Sequence, residues 1–238
     1  MEDMKKNQES THIILAGEPS RVDHAFRISQ MYGSIKKIIL VVPEGTSRGF
    51  EKIRNETSKY FKEIVIREVT ITDIAQSALQ IYEIIREEKK SGKKVIINIT
   101  DSSVAAFAIS GCLTGSVTKS KVITSDLNDE TREVPLVPYC RLVQSRYEIL
   151  CALGDKGAED TKSLKTELVK INQNWKGVQE SNMSTQLKML EERGFIVREK
   201  NRQAKRIERT TFGLLIQNAY KDDPGKLKEA RKNYPVKQ

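Results

Sequence analysis

The stretch Val95 to Gly115, VIINITDSSVAAFAISGCLTG, decides the fold. Its first five residues, Val95 to Ile99, form an apolar run broken only by Asn98. That is the pattern of a strand buried on both faces of a parallel sheet. A polar cluster follows, Thr100-Asp101-Ser102-Ser103, and then a helix rich in small residues, Ala105, Ala106, Ala108, Ser110 and Gly111. Hydroxyls, a carboxylate and free backbone amides therefore converge where a strand gives way to a helix. In open α/β sheets ligands bind at such handovers, with the helix N-terminus presenting a positive pole to anions. The same residues also suit a plain helix cap, because Asp and Ser accept hydrogen bonds from first-turn amides.

Working outward, the same strand–loop–helix unit repeats. Residues 1–11 are expected to be disordered, and His12–Gly17 (HIILAG) reads as the first strand. Glu18-Pro19-Ser20 is a turn into a helix over Pro19–Tyr32, with Gly33 as its C-cap. Lys37–Val42 is a second strand, Arg48–Phe61 a helix and Glu63–Val69 a third strand. Thr72-Asp73 caps a long helix whose apolar stripe is Ile74, Leu79, Ile81, Tyr82 and Ile85. Lys121–Ser125 and Glu133–Val137 complete the sheet. The fold class is thus α/β: a Rossmann-like parallel sheet over residues 12–138, wound with right-handed crossovers. Gly17 to Arg21, Glu44 to Ser47 and Thr100 to Ser103 then face one crevice at the strand C-termini. Neither GxGxxG nor GxxxxGK[ST] occurs, so nicotinamide, flavin and ATP-hydrolysing chemistry are not expected, and no cofactor is.

Charge separates the two halves of the chain. Residues 1–138 carry 20 Lys+Arg against 19 Asp+Glu, whereas residues 139–238 carry 21 against 13. A basic half attached to a neutral one suits a nucleic-acid-binding module. Three cysteines, Cys112, Cys140 and Cys151, without CxxC spacing argue against a disulfide framework and a cysteine-rich zinc site. His12 and His24 read as ordinary structural residues, and no metal is expected. No apolar run approaches the ~18 residues of a membrane span, so no membrane association is expected and the setting reads as cytoplasmic.

After a linker at residues 139–143, helices are expected at Leu142–Leu153, Ser163–Ile171 and Glu180–Arg193. Short strands at Phe195–Arg198 and Arg206–Thr210 bracket a basic tip, a helix covers Phe212–Tyr220, and 222–238 is a charged tail. Three helices, a two-stranded wing and a closing helix describe an α+β winged helix-turn-helix over residues 144–221. On that reading Ser181, Asn182, Ser184, Thr185, Gln186 and Lys188 face double-stranded DNA, while Met183, Leu187 and Leu190 pack inward. Arg198, Lys200, Arg202, Lys205 and Arg206 touch phosphates or the minor groove.

Both halves resemble known families. Asn98-Ile99-Thr100 and the small-residue helix after it resemble the ligand loop of CRISPR-associated Rossmann-fold (CARF) domains. Ser181 to Arg198, containing Leu187-x-x-Leu190-Glu191-x-x-Gly194-Phe195-Ile196-x-Arg198, with the wing through Thr211, is similar to MarR/ArsR-type winged helices. The order of the two resembles the archaeal CARF–winged-helix transcriptional regulators. That resemblance implies a homodimer whose paired CARF domains bind a cyclic oligoadenylate, in particular the four-membered ring, and whose winged helices bind promoters. It places Gly17, Glu18, Arg21, Asn98, Thr100, Asp101, Ser102 and Ser103 around the ligand. The family loop often continues Gly-Gly-Thr-Lys where this chain has Asp101-Ser102-Ser103-Val104. Lacking that Lys, the loop offers no cation for phosphate cleavage, so a sensor and not an enzyme is expected. A ring nuclease or other phosphodiesterase, and a scaffold whose winged helix binds protein, are the alternatives.

Overall fold

The computed structural model describes residues 10–32, 34–100, 104–125, 130–136, 142–200 and 205–222, without the side chains of Tyr32, Lys200 and Lys205. The chain divides into two compact units, Met1–Tyr139 and Cys140–Gln238.

The first unit alternates strand and helix: β1 (Ser10–Leu15), α1 (Val22–Tyr32), β2 (Ile35–Pro43), α2 (Ser47–Thr57), β3 (Glu63–Val69), α3 (Ile74–Lys90), β4 (Lys94–Asn98), α4 (Ala105–Thr118), β5 (Lys121–Ser125) and β6 (Thr131–Glu133). The sheet order is β3-β2-β1-β4-β5-β6. Every pair is parallel except β5–β6. Winding runs outward from β1 to β3, then returns to place β4 on the other side of β1.

Alternation along β1 shows how both faces are filled. Ile13 and Leu15 join a core that includes Ile81, Ile85 and Phe107 of α3 and α4. Ile14 joins the opposite core, with Val22, Phe26 and Phe50 of α1 and α2. Period-two side chains buried on both sides are what make the strands read as continuous apolar runs. α4 is small-residued for packing. A Cβ on Gly111 would lie 2.8 Å from Leu15 Cδ1 and Ile99 Cγ2, and one on Gly115 2.3 Å from Val122 Cγ2. The helix backbone thus rests almost directly on the sheet.

Two expectations are corrected here. β1 begins at Ser10, whose amide donates to Ser34 O at 3.2 Å. Ser10 and Thr11 are buried strand residues, so the expected disorder over 1–11 fails at its end, while residues 1–9 and the tail beyond 222 lie outside the described residues. The last strand lies at Thr131–Glu133 instead of Glu133–Val137 and runs antiparallel to β5. Only residues 126–130 separate the two strands, and a parallel return requires a crossover of a dozen or more residues.

The second unit contains α5 (Gln144–Leu153), α6 (Thr161–Ile171), α7 (Glu180–Glu192), β7 (Ile196–Lys200), β8 (Lys205–Arg209) and α8 (Thr211–Asp222). A capping box starts α6: the Asp160 side chain accepts from Ser163 N at 2.7 Å, and Asp160 N donates to Ser163 Oγ at 3.1 Å. Between α6 and α7, a 3-10 turn at Gln173–Gly177 buries Trp175. Its indole N–H donates to Glu148 Oε2 at 2.6 Å; Gln144 and Asn172 amides donate to Glu148 Oε1 at 3.0 and 3.1 Å. β7 and β8 form an antiparallel hairpin, extended by a bridge from Ala158 to Ile207. Gly157 makes that bridge possible. Its φ is +69°, and a Cβ there would lie 2.6 Å from Ile207 O.

Among the described residues no helix is long and apolar enough to cross a membrane. None of their His, Cys, Asp and Glu residues cluster in threes to hold a metal ion.

Candidate ligand crevice and candidate nucleic-acid face

The crevice lies where winding reverses, between β1 and β4, and the C-terminal loops of these paired strands are adjacent there. From β1 come Gly17, Glu18 and a 3-10 turn at Pro19–Arg21. From β4 comes Thr100, leading through Asp101, Ser102 and Ser103, which lie outside the described residues. Glu18 and Arg21 are exposed and loosely paired at 3.9 Å. The Thr100 hydroxyl oxygen is buried and has no hydrogen-bond partner among the described residues.

Asn98 turns away from this crevice. Its side chain is fully buried, and Nδ2 donates to Ala25 O and Ser29 Oγ, both at 2.9 Å. Oδ1 accepts from Thr100 N at 2.9 Å. One amide thus ties β4 to α1 and folds the chain back at Thr100. Asn98 shapes the loop from beneath. The plain-cap reading of this turn falls on Asp101, Ser102 and Ser103, outside the described residues; the N-cap position of α4 is Val104, whose own side chain supplies no hydrogen bond.

Acidic residues crowd the neighbouring rim. Thr70 Oγ1 donates to Glu44 Oε2 at 3.1 Å, and Ser47 N donates to Glu68 Oε1 at 2.9 Å. The Ser47 hydroxyl, with the Ser47 and Gly45 amides, holds Glu68 below the usual carboxylate range. Glu44 lies in the loop that the sequence placed on the crevice, whereas Glu68, inside the third strand's run, was not singled out; only its place near the strand's C-terminal end pointed to it.

At the opposite end of the strands, Glu88 accepts from Lys37 at 2.9 Å and from Lys93 and Thr11 at 3.0 Å. Burial opposes its charge, but these hydrogen bonds outweigh it and lower its pKa. His12 is fully buried on β1. Burial, with the Lys94 charge second, lowers its pKa to about 4.

In the second unit, α7 presents Ser181, Asn182, Ser184, Thr185 and Lys188 to solvent. Met183, Leu187 and Leu190 are buried, as their spacing predicts. Gln186 is the exception. It is half-buried, and its Oε1 accepts from Arg146 Nε of α5 at 2.8 Å, so it faces α5 and not the polar surface. Two of the basic residues of the hairpin are ion-paired within the second unit. Arg198 Nε donates to Glu191 Oε2 at 2.8 Å, and Arg206 Nε lies 2.6 Å from Glu208 Oε1. Arg202 lies outside the described residues, as do the side chains of Lys200 and Lys205.

No known family's sequence model matches the chain. An uncharacterized protein of Archaeoglobus fulgidus is 27% identical over 170 residues, covering 70% of this chain and 78% of that protein. Among solved structures, Can2 from Sulfobacillus thermosulfidooxidans in complex with cyclic tetra-adenylate aligns over 97% of this chain and 68% of its own, at 15% identity and a TM-score of 0.41. Protein VC1899 from Vibrio cholerae aligns over 95% and 69%, at 11% identity and a TM-score of 0.41.

Proposed function

We propose that the protein is a homodimeric, ligand-responsive transcription regulator. Its first unit is a CARF-like sensor of a cyclic oligoadenylate, with the four-membered ring as the leading candidate. Its second unit is a winged helix-turn-helix that binds promoter DNA. The observation carrying this reading is the meeting of the β1 and β4 loops at the reversal point of the sheet, where β4 hands over to α4. Gly17, Glu18, Arg21, Thr100, Asp101, Ser102 and Ser103 are the proposed contacts, with Asn98 supporting them. Glu18 on the β1 loop and Glu44 and Glu68 at the ends of β2 and β3 make this edge of the sheet acidic. Recognition therefore falls to hydroxyls, backbone amides and adenine edges more than to cations. A homodimer is supported by α4, which carries no charged residue and leaves Ile109 46% exposed.

Thermal-shift titration with cyclic tetra-adenylate tests the sensor. Ligand at one hundred times its Kd stabilises the folded state by about 2.7 kcal/mol, a shift of several degrees. No shift at high micromolar ligand removes the ligand assignment and leaves the DNA-binding one standing. Incubation with the same ligand should return it uncut; linear products would instead favour the ring nuclease. Duplex binding that weakens steeply with salt is expected of the second unit.

A further inference from the structure

Arg146 occupies the first turn of α5, where the helix dipole opposes a positive charge. Its guanidinium is half-buried against α7, and both its partners are uncharged: Gln186 Oε1 at 2.8 Å and Met189 Sδ at 2.9 Å. No carboxylate pairs with it among the described residues. A guanidinium has five N–H donors and no acceptor, so the Gln186 amide must present its oxygen to Arg146. Two donors are engaged in this way, and the others have no partner among the described residues. Gln186 and Met189 stand at i and i+3 along one face of α7, and Arg193, the C-cap residue just past its end, follows at i+7, which brings a second cation to the same seam. Arg193 is exposed and likewise has no carboxylate partner among the described residues. Burial first, and the Arg193 charge second, lower the pKa of Arg146. A guanidinium without a carboxylate partner among the described residues, steadied by a neutral amide and with a second cation close enough to act on its charge, forms a site that an anion would complete.

We infer that Arg146 and Arg193 form a contact site for a DNA phosphodiester group at the α5–α7 seam, with Gln186 as the residue that positions Arg146. This rests on the DNA-binding reading of the second unit, and it assigns to α5 a role in that binding. The contact is independent of base sequence, so it is read through salt dependence.

The test measures binding of the full-length protein to a random-sequence duplex across a salt series. Arg146→Gln should reduce the magnitude of the log K against log salt slope by about 0.9, the value of one neutralised phosphate. Arg146→Lys should keep the slope while weakening binding, since the charge stays and the fork is lost. Lys90→Gln, at the exposed end of α3 in the other unit, should leave the slope unchanged. Arg146→Gln should also leave the melting temperature unchanged or higher, because a half-buried unpaired charge is removed. If the wild type binds with a steep slope and Arg146→Gln keeps that slope but melts lower, Arg146 only tethers α7 and the inference is overturned. If the wild type does not bind duplex at all, the DNA-binding reading fails, and the seam's assignment fails with it.

Discussion

The two units handle polar residues in opposite ways. The first buries Ser10, Thr11, His12, Ser29, Ser77, Glu88, Asn98, Ser110, Thr114 and Ser120; among the described residues the second buries only Glu148. In the first unit, polar groups inside the fold hold its strand ends and loops to its helices. In the second they lie outside on α7, above an apolar core. A site built on strand ends is set by hydrogen bonds beneath it, whereas a site on a helix face is set by the helix period. Substitutions under the first should therefore be expensive and indirect, and those on the second cheap and local.

Asn98→Ala gives the largest expected effect. It removes three buried hydrogen bonds and strands Thr100 N, at about 1 kcal/mol each, so a loss of about 3 kcal/mol is expected by chemical denaturation. Ligand response should be lost along with it, because the Asn98 side chain holds the loop at Thr100 in place. A variant of near wild-type stability that still loses the response would make Asn98 a direct contact.

Acid should discriminate between the units almost as strongly. His12 has a folded pKa of about 4 against about 6.5 unfolded. Between these values the unfolded chain binds the extra proton, so stability is full above about pH 6.5 and falls as pH drops toward 4. The loss amounts to about 3 kcal/mol. Glu88, with its lowered pKa, adds a further loss once pH falls below the unfolded carboxylate value. Tryptophan fluorescence follows the second unit alone, because Trp175 is the chain's single tryptophan. Far-UV signal should therefore fall at a higher pH than Trp175 fluorescence. Coincident transitions, or His12→Gln without effect on the far-UV midpoint, would contradict this account.

How much of this was legible in the sequence follows from the same contrast. The central strands β1 and β4 were legible because both faces are buried, and even β3 and β5, less buried, fall where their apolar runs predict. The inward stripe of α7 followed from spacing alone. Asn98 was legible as important but not as buried, since a strand-end residue has two sides and its partners lie about 70 residues away in α1. The small residues of α4 suggested a ligand loop, yet Gly111 and Gly115 answer to close packing on β1 and β5. The ion pairs of the hairpin's basic residues were not legible, because their carboxylate partners, Glu191 on α7 and Glu208 across from Val197, are set by tertiary and cross-strand pairing.

In the second unit, Glu148→Gln should cost about 2 kcal/mol, because an amide puts a donor toward Trp175, Gln144 or Asn172 where all three need an acceptor. A smaller loss would mean that the turn before α7 is held by apolar packing of Trp175 alone.

The smallest effects separate Thr185 from Gln186, neighbours on α7 that point in different directions. Thr185 is exposed on the polar face, and its hydroxyl bonds back to Ser181 O at 3.0 Å. Thr185→Ala should leave stability within about 0.5 kcal/mol of wild type, as surface changes do, while altering preference among duplex sequences. Gln186→Ala removes the amide that steadies Arg146, so it should weaken all duplexes alike by under about 1 kcal/mol, roughly fivefold or less. The competition assay compares a selected duplex with a random one for each variant. If Gln186→Ala changes the ratio and Thr185→Ala does not, the reading face of α7 is turned toward α5. The exposed serines and threonine then become bystanders.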